Sequence, residues 1–119
     1  FNEMNKCSMG VNLSRGEPIK YYSSDRIASL LGNGLLTFIN KNYFYQDFFN
    51  KDEIITYKNI NDLNKKILYY KKNNKKLRNI AKKGHFKAHK IFSNKIIAKY
   101  IIDRTFKTNN NYQLKWMNE

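Results

Sequence analysis

Apolar residues follow two rhythms along this chain, and the rhythm changes near residue 60. Before that point they come in short runs broken by turn formers. Met9 to Leu13 reads as a first strand, weakened by Gly10. Gly16 and Pro18 make Ser14 to Tyr22 a loop. Ser24 to Leu31 reads as a helix. Ser23 and Ser24 are good N-caps, Asp25 puts a carboxylate in the first turn, and Ile27, Leu30 and Leu31 share one face. Gly32, Asn33 and Gly34 tolerate the left-handed backbone that ends a helix. Leu35 to Ile39 follows as a strand that is apolar on both sides, which suggests a parallel sheet covered on both faces. After a polar turn at Asn40–Asn42, Tyr43 to Phe49 reads as a short aromatic-rich helical segment. Lys51-Asp52 turns again, and Glu53 to Tyr57 reads as a third strand.

From Asn61 the spacing is helical. Ile60, Leu63, Ile67 and Leu68 form one stripe. Leu77, Ile80, Ala81, Ala88, Ile91 and Phe92 form a second, and Ile96, Ile97, Tyr100 and Ile101 a third. Asn73-Asn74 and Ser93-Asn94 separate the stripes, with Ser93 as an N-cap. Strands alternating with helices predict an α/β fold: a short parallel sheet of three strands with right-handed crossovers, flanked by helices and followed by a helical C-terminal section. The 119 residues make one domain, and no internal repeat is present. The expected division is a domain over 1–108 and a tail over 109–119. The sequence opens at Phe1 rather than Met, so it is expected to be a piece of a longer chain.

Charge changes this picture only modestly. The net charge is +14 and the pI about 9.9, which favours anionic partners. Lys, Asn, Ile and Tyr are abundant while Gly and Pro are scarce, the profile an AT-rich genome imposes on any protein. Genome bias is read as the main source of the charge. Cys7 stands alone, so no internal disulfide forms; a reducing compartment is the simpler reading, with Cys7 as a small buried residue. No apolar run approaches the roughly 18 residues of a membrane span.

In an open parallel sheet, ligands bind outside the carboxyl ends of the strands. That rule selects Ser14 and Arg15 after the first strand, Asn40 and Lys41 after the second, and Lys58 and Asn59 after the third. The N-terminus of the Ser24 helix opens onto the same rim, and a helix N-terminus suits phosphate. Ser23 and Ser24 with Arg15, Lys20 and Arg26 would meet a diphosphate there. The plainer reading of Ser23, Ser24 and Asp25 is a helix cap alone.

The run from Asp25 to Thr37, DRIASLLGNGLLT, also carries a family resemblance. It resembles the donor-side signature of group 1 glycosyltransferases, particularly the branch similar to spore-maturation CgeB-type proteins. Arg26 matches the family Arg and Gly34 the family Gly, while Ser29 stands where the family usually has Glu. The resemblance covers roughly residues 5 to 105. It implies the Rossmann-like C-terminal lobe of a two-lobed GT-B transferase, binding a nucleotide-diphosphate-sugar donor without metal. Ser14, Arg15, Ser23, Ser24, Asp25, Arg26 and Ser29 would form the donor site. The catalytic base and a glycan or lipid-linked acceptor would belong to the other lobe. A cytoplasmic place at the inner membrane face, building cell-surface polysaccharide, is the matching expectation. At Ser29 the family carboxylate commonly holds the ribose hydroxyls; serine loses that bidentate contact, leaving Glu17 or Asp25 to take over.

Other chemistry is thinly represented. There is no P-loop, no G-x-G-x-x-G and no nucleophile elbow. His85 and His89 stand one helical turn apart, but no third ligand follows, so no metal is expected. The cluster Tyr43, Phe44, Tyr45, Phe48 and Phe49 reads as core rather than a stacking platform. The alternative function is a nucleic-acid-binding module on the lysine-rich helices 61–104. The ten lysines from Lys65 to Lys90 fill the polar faces of all the helices, and Arg is sparse, which looks like a solvated surface. The same lysines are compatible with contact to an anionic membrane.

Overall fold

The computed structural model describes residues 4–13 and 16–108. A parallel sheet of three strands in the order β1-β2-β3 lies at its centre: β1 (Met9–Asn12), β2 (Leu36–Asn40) and β3 (Ile55–Tyr57). Helix α1 (Asp25–Gly32) makes the first crossover, and two 3-10 turns, Lys41–Tyr43 and Tyr45–Asp47, lie in the second. Three helices follow: α2 (Ile60–Lys72), α3 (Asn74–Phe92) and α4 (Asn94–Phe106). The α/β architecture expected from the alternating pattern is therefore present, with its helical C-terminal section. None of the described helices is long and apolar enough to cross a membrane.

Strand β2 holds the two halves of the core apart. It pairs with β1 at Val11↔Phe38 and with β3 at Phe38↔Ile55. Its side chains alternate between faces. Leu36 and Phe38 enter a cluster with Ile55, Tyr57, Leu63, Tyr70, Leu77 and Ile80 from β3, α2 and α3. Ile39 enters the other cluster, with Ile27 and Leu31 of α1, Tyr43, Tyr45 and Phe49, Ile54, and Ile91 of α3. This explains why the strand is apolar at successive positions.

Glycine sets two close approaches. Gly10 lets Leu30 of α1 lie directly on β1, so it is a packing residue rather than a weakness of the strand. Gly84 brings α3 against the backbone of Glu53. Of the Gly32-Asn33-Gly34 run, only Gly34 takes the left-handed conformation, at φ 72°; Gly32 is still helical and Asn33 has φ −90°.

Several expectations are corrected. Cys7 is exposed. Ile60 and Leu68 are exposed although they fit the first helical stripe; Leu63 and Tyr70 do the burying in α2. The third stripe splits. Ile96 and Tyr100 are half-buried and Ile97 lines a cavity with α1 and α3, whereas Ile101 faces outward, because α4 packs through the side that carries Asp103. Ser93 precedes α4, yet its side chain makes no capping bond. The aromatic cluster divides too: Tyr43, Tyr45 and Phe49 are core, Phe48 is half-buried and Phe44 is exposed. The tail 109–119 lies outside the described residues.

Candidate functional site

The carboxyl rim of the sheet is tied together at Asn12, the last residue of β1. Asn12 is fully buried. Its carbonyl accepts a hydrogen bond from the Tyr57 hydroxyl at 3.3 Å, which links the ends of β1 and β3. Its Oδ1 accepts from Ser24 Oγ at 3.0 Å. Ser24 is the N-cap of α1, and the same Oγ accepts from the Ile27 backbone N–H at 3.4 Å. One hydroxyl thus caps the helix and fixes its start to the end of β1. Asn12 Nδ2 is buried and has no hydrogen-bond partner among the described residues. Such a donor costs about 1–3 kcal/mol and calls for an explanation.

Arg26 reaches across the same rim. Its Nη1 donates to the carbonyl of Leu13, the residue after β1. A guanidinium carries five N–H donors, so this bond leaves others to face outward. Leu13, Glu17, Ile19, Tyr22, Ser24, Arg26 and Tyr43 together line a cleft of about 530 Å³. Leu13, Ile19 and Tyr22 are all exposed large apolar side chains at this one place. The loop that supplies Glu17 and Ile19 is pinned by Tyr21, whose N–H donates to the Tyr43 carbonyl and whose hydroxyl donates to Asp47 at 2.7 Å. Tyr21 accepts a left-handed backbone, φ 61°, to make both bonds. That conformation is uncommon for a tyrosine.

The structure sorts the residues selected from the sequence. Ser24 and Arg26 meet in the rim cleft. Asp25 is exposed in the first turn of α1, beside them in sequence but not among the cleft-lining side chains. Ser23 turns elsewhere. It lines a smaller apolar cavity of about 220 Å³ with Ile27, Leu31, Tyr45, His89 and Ile97. Burial there pushes the Tyr45 phenol above its ordinary value, against a hydrogen bond with Ser23 that lowers it. Ser29 is half-buried in the second turn of α1 and lines neither space. Ser14 and Arg15 lie outside the described residues. Sequence reasoning missed Asn12, Leu13, Ile19 and Tyr22. A buried asparagine at a strand end, next to apolar residues in a loop that needs none, was the available signal.

The remaining polar groups serve the scaffold. His85 Nδ1 lies 3.0 Å from the Leu31 carbonyl oxygen, so it secures the end of α1 to α3. The His85 and His89 rings are 4.4 Å apart. No group of three His, Cys, Asp or Glu that could hold a metal occurs among the described residues. A further cleft of about 540 Å³ lies among Thr56, Lys66, Tyr70, Lys76 and Asn79 and contains none of the donor-site residues selected from sequence.

A family model described as glycosyl transferase-like matches residues 1–103. No curated protein and no solved structure gives a significant match.

Proposed function

The chain belongs to the glycosyl transferase-like family, and from that premise we propose that it is the donor-binding lobe of a glycosyltransferase. The donor is a nucleoside-diphosphate sugar held at the carboxyl rim of the sheet. The observation that carries this reading is the rim cleft itself. It joins a guanidinium, a helix N-terminus and exposed apolar walls in a single space at the strand ends.

Each part has a task. The diphosphate lies at the start of α1, where backbone N–H groups and the helix dipole favour negative charge. Arg26 adds charge-assisted hydrogen bonds. As the bond from the anomeric carbon to the phosphate oxygen breaks, charge grows on the departing diphosphate, and these fixed groups stabilise it. Leu13, Ile19 and Tyr22 cover the base or sugar. Glu17 shares this cleft with Arg26, whereas Ser29 does not line it, so Glu17 takes the ribose-holding role that a carboxylate at position 29 fills in relatives. The acceptor, a glycan or lipid-linked hydroxyl, and the base that removes its proton come from outside this chain. No metal is needed for the charge on the leaving group.

Titration calorimetry with a panel of nucleoside diphosphates tests the reading. The chain saturates with one of them, and Arg26→Ala weakens binding by at least about tenfold, the loss of one hydrogen bond to a charged group. The rival is binding of nucleic acid along α2 and α3. It predicts instead that short DNA binds, that affinity falls steeply from about 50 mM to about 200 mM salt, and that Arg26→Ala changes nothing. Against the rival, Lys66 is bonded to Asp62 and the Thr56 carbonyl, and Lys83 to Asp52, so these lysines already serve the fold.

A further inference from the structure

Helix α4 buries little of its apolar surface. Asp103 is its one buried residue, and Ile96 and Tyr100 lie half-buried on the same inward side. The opposite side carries Ile101, Ile102 and Phe106, which are 57%, 54% and 71% exposed. At 100° per residue, Lys95, Lys99, Ile102 and Phe106 fall on one line along this outward side. Three large apolar side chains together on one solvent-facing helix are more than the scattered exposure expected of a surface. Lys95 lies on the same line and can lay its stem along it while holding its charge at the edge; Lys99 is paired with Asp103 at 3.1 Å. A second copy of this chain would carry the same +14 charge, whereas an anionic surface is opposite in sign.

We propose that the outward side of α4 docks on an anionic membrane surface. Ile101, Ile102 and Phe106 enter the boundary between headgroups and acyl chains, and Lys95 pairs with a lipid phosphate or carboxylate. The first turn of α4 sits beside the start of α1, since Ile97 and Ser23 line one cavity. Docking therefore holds the amino end of α1, and the rim cleft it opens onto, near the bilayer. The proposal stands apart from the donor-site reading: its failure leaves the nucleotide titration unaffected, and the converse also holds.

Co-sedimentation of the whole chain with vesicles tests it. Binding is expected to mixed phosphatidylcholine–phosphatidylglycerol vesicles and not to phosphatidylcholine alone. The substitution Lys95→Gln weakens it about fivefold, at about 1 kcal/mol for a charge near the surface. Ile102→Asn/Phe106→Asn weakens it at least about tenfold, or about 1.4 kcal/mol. Lys95, Ile102 and Phe106 are exposed, so the melting temperature of both variants stays at the parent value. Equal binding to neutral vesicles, or binding indifferent to Ile102→Asn/Phe106→Asn, overturns the proposal. So does a dimer in sedimentation velocity that the same variant dissociates. A last arm uses any longer protein that contains this chain, as Ile102→Cys in a Cys7→Ser background. Rapid thiol labelling, blocked by anionic vesicles, is expected; labelling blocked before vesicles are added means that protein covers the face, and the proposal fails.

Discussion

Replacing Gly84 by Ala is the most exacting test of the packing that positions the site. A Cβ built on Gly84 would lie 2.1 Å from the Glu53 carbonyl oxygen and 3.2 Å from its carbon. Both are backbone atoms just before β3, so no rotamer change relieves the clash. Helix α3 must retreat by roughly an ångström from a core that is otherwise close-packed. Overpacking of this kind costs about 1–3 kcal/mol, here at the upper end because backbone meets side chain. Against it stands a helix-propensity gain of about 1 kcal/mol for Ala over Gly. The net loss is about 2 kcal/mol, which lowers the melting temperature of a domain this size by roughly 8 °C. The retreat also strains the contact between His85 and the Leu31 carbonyl that holds the end of α1. Thermal unfolding followed by circular dichroism measures the first effect. A melting temperature that rises shows helix propensity acting alone, and would falsify the close approach of α3 to Glu53.

Three other perturbations have expected results. Ser24→Ala removes the helix cap, worth about 1 kcal/mol, and strips Asn12 Oδ1 of its partner; denaturant titration should show a loss of about 2 kcal/mol when the buried acceptor is included. Asp25→Asn removes a carboxylate that competes for the N-terminus of α1, and calorimetry should find nucleoside-diphosphate binding about two- to fivefold tighter, the equivalent of about 0.3–1 kcal/mol. Asp62 is held below the usual carboxylate range chiefly by its hydrogen bond to Lys66, then by the Lys58 N–H. Its stabilisation is thus present at neutral pH and is lost as the pH falls below about 4, through the lowered value; Asp62→Asn should flatten the acid side of the stability profile, and an unchanged profile would remove Asp62 from the account.

Much of the fold was legible because the sheet imposes a simple pattern. A strand buried on both faces needs apolar residues at successive positions, and Leu35 to Ile39 supplies them, although β2 begins at Leu36. The caps and breaks around α1 were readable for the same local reason. The helical stripes were only half legible, since periodicity shows which side of a helix is apolar but not whether anything covers it. Leu63 and Ile97 fit their stripes equally well, yet only Leu63 meets the sheet. The site shows the same boundary. Ser24 and Arg26 follow from the rim rule, whereas Asn12, Leu13 and Tyr22 became visible only when the end of β1 and the loop that leads into α1 were folded beside its first turn. Adjacent serines were indistinguishable as letters, and helix geometry sends them to different cavities.

The central claim is that a nucleoside diphosphate sits where α1 meets the ends of the strands. A titration of the amide proton–nitrogen spectrum with the tightest-binding nucleoside diphosphate tests it directly. The account predicts saturable shifts confined to Leu13, the loop from Glu17 to Tyr22, Ser24 to Arg26, and Tyr43. Shifts spread instead over the lysines of α2 and α3, fading together as salt is added, would contradict it.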